Sequence, residues 1–127
     1  MRSRQTSWIA LLGVLWLALP LGGAAQVAHA LTVAELMAAP DRFDKKEVVL
    51  SGVAERVWKR RVSQHGNWYT TFWVTDPGGR VNVFSQGKLP VKDNDRVEVH
   101  GVFYRVRRLE LYTFHNEIEA SSVRRIP

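Results

Sequence analysis

From residue 46 onward, apolar and polar side chains alternate with a period of two, the repeat of a strand with one buried face. Val48, Leu50, Gly52 and Ala54 share one face, and Val57 and Trp58 continue the apolar run. Residues 68–75 are dense in aromatic and β-branched side chains and predict a second strand. Asp76-Pro77-Gly78-Gly79 supplies turn residues, so residues 80–85 return as the second arm of a hairpin. Residues 85–95, with Gly87 and Pro90, read as a polar connection. Val97 and Val99 mark a fourth strand over 96–104, followed by an expected basic turn at 105–108. Residues 109–123 form one long or broken fifth strand, and 124–127 read as a frayed tail. Gly52 and Gly101 fall inside strands, where a bulge or sharp bend is expected.

The stretch before residue 46 has a different pattern. Thr32-Val33-Ala34-Glu35 is a capping box, and Val33, Leu36 and Met37 give an apolar stripe ended by Pro40 and Asp41. A helix of about two turns follows. Five strands, glycine kinks in two of them and a short N-terminal helix predict an all-β fold, a five-stranded barrel. A sandwich would need about seven strands.

Residues 1–30 read as a signal peptide. Arg2 and Arg4 form a positive start, residues 8–19 are an unbroken apolar run, Pro20, Gly22 and Gly23 interrupt it, and Ala28-His29-Ala30 resembles a cleavage site. The 12-residue run is shorter than the roughly 20 residues of a membrane span, so no stable span is expected after cleavage. Retention as an anchor is the competing reading. Cleavage leaves one domain over residues 31–127 with a charge of +4, and places it in the periplasm or outside the cell.

Composition removes several chemistries. The 127-residue chain is 46% hydrophobic and 24% charged, which fits one folded domain. The absence of cysteine excludes a disulfide scaffold, a thiolate metal site and a cysteine nucleophile. His65, His100 and His115 lack metal-ligand spacing, and Asp93 and Asp95 are ordinary turn residues, so no metal is expected. Ser63, His65 and Asp76 have neither a nucleophile elbow nor an oxyanion loop around them, which predicts a non-enzymatic protein.

Three stretches carry a resemblance. They are Val48-Val49-Leu50-Ser51-Gly52-Val53-Ala54, residues 69–84 with Val74-Thr75-Asp76-Pro77-Gly78-Gly79, and residues 93–103 around Arg96-Val97-Glu98-Val99-His100-Gly101. In this order they are similar to an OB-fold of the nucleic-acid-binding kind found in tRNA-anticodon and helicase domains. Thr75-Asp76-Pro77-Gly78-Gly79 with Gly87-Lys88-Leu89-Pro90 also resembles the periplasmic haem chaperone of cytochrome c maturation. That family holds haem through a tail histidine, and the tail Ser121-Ser122-Val123-Arg124-Arg125-Ile126-Pro127 has none, so no cofactor is expected.

Candidate binding residues follow from the alternation. With the valines of residues 74, 81 and 83 inside, Tyr69, Trp73 and Phe84 stand on the outer face of the central hairpin. Flat rings there offer a stacking platform for bases; packing beneath the helix or in a dimer interface is the competing use. Arg56, Lys59, Arg60 and Arg61 are expected at the end of the first strand and into its loop, and Arg105, Arg107 and Arg108 in the last turn. The OB resemblance implies that these two loops flank one groove, with the cations meeting phosphates. The expected function is therefore binding of single-stranded nucleic acid or a similar polyanion. The alternatives are a protein partner on the aromatic face, in an interaction or envelope-maintenance role, and more remotely carriage of haem or a small ligand.

Overall fold

The structure is a computed structural model that describes residues 30–62 and 65–127. All but the last residue of the expected signal peptide, and Ser63 and Gln64 of the expected loop, lie outside the described residues. The elements are β1 (Ala30–Thr32), α1 (Val33–Ala38), α2 (Pro40–Phe43), β2 (Lys46–Arg61), β3 (Trp68–Asp76), β4 (Gly79–Gln86), β5 (Arg96–Leu109) and β6 (Tyr112–Arg125). The strands form one mixed six-stranded sheet in the order β1-β2-β3-β4-β6-β5, with β2 also pairing β5. This replaces the expected five-stranded barrel with one helix. Two differences carry the correction: β1 is an additional strand parallel to β2, and β4 lies parallel to β6.

α1 begins as its sequence dictates. The Thr32 hydroxyl accepts from the Glu35 amide at 3.0 Å, and Glu35 Oε1 accepts from the Thr32 amide at 3.0 Å. Val33 and Leu36 are fully buried. The helix start is fastened to the β3–β4 turn by Asp76, which accepts from the Ala34 amide at 3.2 Å. Gly78 must be glycine here, because a Cβ would lie 2.2 Å from that of Ala34. Pro40 both ends α1 and occupies the first turn of α2, where its missing amide costs nothing. α2 was not expected from the pattern.

β2 changes partners along its length. Its first half pairs β5 and its second half pairs β3, with a bulge between Glu55 and Trp58 and Arg56 at φ 53°. Before the bulge the even positions Val48, Leu50 and Ala54 are buried; after it Val57 turns to the core. One extra residue has flipped the face. Trp58, expected to continue the apolar run, is therefore 53% exposed.

β5 runs on to Leu109, so residues 105–108 are strand and not a basic turn. The reversal falls at Glu110 and Leu111, with Glu110 at φ 51°, and Arg107 pairs with Phe114 across the hairpin. Arg124 and Arg125, expected to fray, pair with Glu98 and Val97. The core lies between α1 and the inward faces of β2 to β6, centred on Leu50, Phe72, Val83, Val99, Phe103 and Ile118. Val91, from the connection expected to be polar, is also buried there.

Candidate functional site

The outward faces of β2, β3, β4 and β6 meet in a cleft of about 660 Å³. Strand register builds its floor. Trp73, Asn82 and Glu117 stand in one cross-strand row; Trp58, Thr71, Phe84 and Glu119 in the next; Arg60, Tyr69 and Gln86 in the third. Tyr69 and Phe84 are diagonal neighbours, and their rings stack with centroids 5.5 Å apart and planes 26° apart. Arg107, Leu109 and Phe114 of the β5–β6 hairpin line another side.

The basic residues are not equivalent. Arg56 and Arg60 line the cleft, with the Arg60 guanidinium 4.2 Å from the Trp58 ring centroid. Among the described residues no ion pair engages either of them. Arg107 also lines the cleft but is held by carboxylates: it bridges to Glu119 and stands 3.6 Å from Glu117. Arg105 is drawn away altogether, pairing with Asp41 while its amide donates to Asp44 at 2.9 Å. It fastens α2 to β5. Lys59 and Arg61 point to the other face of β2, and Arg108 is exposed outside the cleft.

The structure thus brings together Tyr69, Trp73, Phe84, Arg56, Arg60 and Arg107 of the residues singled out by sequence, and leaves Lys59, Arg61, Arg105 and Arg108 outside. Sequence reasoning missed Trp58, Phe114, Glu117 and Glu119. Trp58 was concealed by the bulge, whereas the alternation of Glu117 and Glu119 around the buried Ile118 was a signal in plain view.

Glu117 is buried, and Asn82 donates to its Oε2 at 3.1 Å. Desolvation pushes its carboxyl above the usual range, outweighing the nearby Arg107 and the Asn82 hydrogen bond. Chemically the cleft offers stacking rings, two cations at the β2 side and acceptor carboxylates at the β6 side. Among the described residues no cluster of three or more histidine or carboxylate side chains is placed to hold a metal. No described helix is long and apolar enough to cross a membrane.

A mostly β domain with an open aromatic cleft on its sheet defines the class, and comparison with known proteins bears on the topology. No family model matches the chain, and no curated protein matches it. Among solved structures it is similar to one assigned as an aspartyl-tRNA synthetase from Leishmania major Friedlin, with a TM-score of 0.58 and 11% identity. That match covers 79% of this chain and 21% of the synthetase, so the chain spans about a fifth of that protein. It is also similar to the second OB-fold domain of replication protein A from Methanococcus maripaludis, with a TM-score of 0.52 and 14% identity, covering 77% of this chain and 95% of that one. The resemblance is to an OB-fold domain, weak in sequence and carried by topology.

Proposed function

We propose that the protein is a non-catalytic domain that binds single-stranded nucleic acid in this cleft. The observation that carries the reading is the Tyr69–Phe84 stacked pair, open to the cleft between Trp58 and Trp73, with Arg56 and Arg60 outside any described ion pair beside it. Rings present faces on which any base stacks, and the arginines meet the connecting phosphates. The names of the similar structures, a tRNA synthetase and a replication protein, support the same class of ligand. Titration of the full chain against labelled single-stranded DNA and RNA, followed by fluorescence anisotropy, tests it. Saturable binding that weakens by about fivefold or more in Phe84→Ala is the expected result, from about 1–3 kcal/mol per stacked base. A flat titration at low salt overturns the reading.

One observation favours a second reading, a protein-interaction module. Leu111 at the β5–β6 tip is 93% exposed beside the exposed Tyr112, an apolar tip that the fold itself does not use. On that reading Leu111→Asp would abolish partner capture while a nucleic-acid titration stays flat.

A further inference from the structure

We propose that a bound single strand continues beyond the cleft, over the β2–β3 end of the sheet, onto a second anion contact formed by Trp68 and Lys88 with Arg61. The inference rests on the nucleic-acid reading of the cleft and extends it to the path and footprint of the ligand.

The last row of the cleft floor is Arg60, Tyr69 and Gln86. The next residues along the chain are Arg61 and Trp68, at the ends of β2 and β3 and one strand rise or about 3.4 Å further on, and Gly87, just past the end of β4. Arg61 lies directly across from Trp68 in the β2–β3 register. The Gly87 amide donates to the Trp68 carbonyl at 2.7 Å, which brings Lys88 over the indole. Lys88 Nζ stands 4.5 Å from the Trp68 ring centroid and the Arg61 guanidinium 5.3 Å. Trp68 follows the inward alternation of Thr70 and Phe72 but lies past the end of the core and is only half-buried, so its ring and both cations sit at the rim.

The charge pattern gives this rim a direction. No aspartate or glutamate occurs in residues 56–75 or 77–92, while those stretches hold Arg56, Lys59, Arg60, Arg61, Arg80, Lys88 and Lys92. The opposite side of the cleft carries Glu117 and Glu119, which neutralise Arg107. A polyanion that enters the cleft is therefore drawn out across β2 and β3 and repelled from β6. Cations interleaved with rings at the exit are the composition of a single-strand track.

The test compares labelled oligothymidylates of about four and about twelve nucleotides, lengths that bracket the low end of known single-domain footprints. The full chain is titrated with each across a salt series. Lys88 is exposed and makes no packing contribution to the core, so Lys88→Ala probes the contact without disturbing the fold. The expected result is weaker binding of the longer strand, with a salt slope shallower by about 0.7 for the lost phosphate. The shorter strand should be unaffected, and Phe84→Ala should weaken both. Arg61→Ala serves as the second variant and should follow Lys88→Ala. If both cation variants bind the longer strand as the native chain does while Phe84→Ala weakens it, the second contact is overturned and the cleft reading stands. Equal loss for both lengths in Lys88→Ala also overturns it, because the lysine would then serve the cleft. If the native chain binds neither strand, the cleft reading falls and this one with it.

Discussion

Glu117 is the residue at which the cleft and the core meet. It is 3% exposed, accepts from Asn82 and stands beside Arg107, yet burial wins and its carboxyl lies above the usual range. An acid whose folded value is raised binds its proton more tightly folded than unfolded. Its contribution to stability is therefore full below the unfolded carboxylate range and is lost as pH rises through the folded value. Glu117→Gln keeps a neutral side chain of the same shape at every pH. Denaturant unfolding of the two proteins from acid to neutral pH should show the native chain losing ground to the variant as pH rises. Parallel curves would mean that Arg107 and Asn82 offset the burial in full. The sequence shows Glu117 and Glu119 as an outward pair around Ile118, and that facing is what the structure has. It does not show their enclosure, because the covering hairpin depends on where β5 ends. Residues 105–108 look like a turn by their charge, but Val106 continues the alternation and the reversal falls at Glu110 and Leu111.

At the scale of elements, the bulge in β2 decides what the cleft contains. Without the extra residue at Arg56, the parity of Val48, Leu50 and Ala54 would carry Trp58 and Arg60 toward the core. The amide of Val57, freed from the ladder, donates to Asp93 Oδ1 at 2.8 Å. The turn around Asp93 is fastened to the strand on either side, with Asn94 donating to the Ala54 carbonyl at 2.7 Å and the Ala54 amide to that of Asp95 at 2.8 Å. Asp93 thus holds the bulge, a use that its sequence context as a turn residue did not reveal. Asp93→Ala should cost about 1.5–3 kcal/mol, the range for a hydrogen bond to a charged group, and should also weaken oligonucleotide binding by misplacing Trp58 and Arg60. Thr32→Ala is the matched control. Loss of its cap should cost about 1 kcal/mol, but α1 does not line the cleft, so binding should be unchanged. Equal binding in the two variants at matched stability would show that the bulge does not position the cleft. The strand count was largely legible because the period-two pattern is strong; β1, α2 and the bulge were not. A three-residue strand and a four-residue helix are too short to show a period, and a bulge is visible only when a second strand sets the register.

Across the whole molecule, net charge and local charge lead to different expectations for binding. The chain carries +6, and seven basic residues stand out in its sequence as phosphate contacts: Arg56, Lys59, Arg60, Arg61, Arg105, Arg107 and Arg108. If all seven met phosphates of a single strand, the logarithm of affinity would fall against the logarithm of salt with a slope of about −5. The structure assigns most of them elsewhere. Arg105 fastens α2, Arg107 is neutralised by Glu117 and Glu119, and Lys59, Arg61 and Arg108 lie outside the cleft. Arg56 and Arg60 remain, which gives a slope of about −1.4 for a strand no longer than the cleft. Stacking then supplies most of the affinity. Phe84→Ala should lower binding of a short strand at every salt concentration by a similar factor, leaving the slope as it was, whereas Arg60→Ala should flatten the slope by about 0.7. A salt series on the native chain and these two variants separates the contributions. A native slope near −5 for a short strand would place the outlying cations on the phosphates, and the cleft as drawn by the cross-strand rows would then be the wrong site. A slope near −1.4 that only the arginine variant changes would identify a site that holds bases by their faces and uses charge mainly to set the direction of the chain.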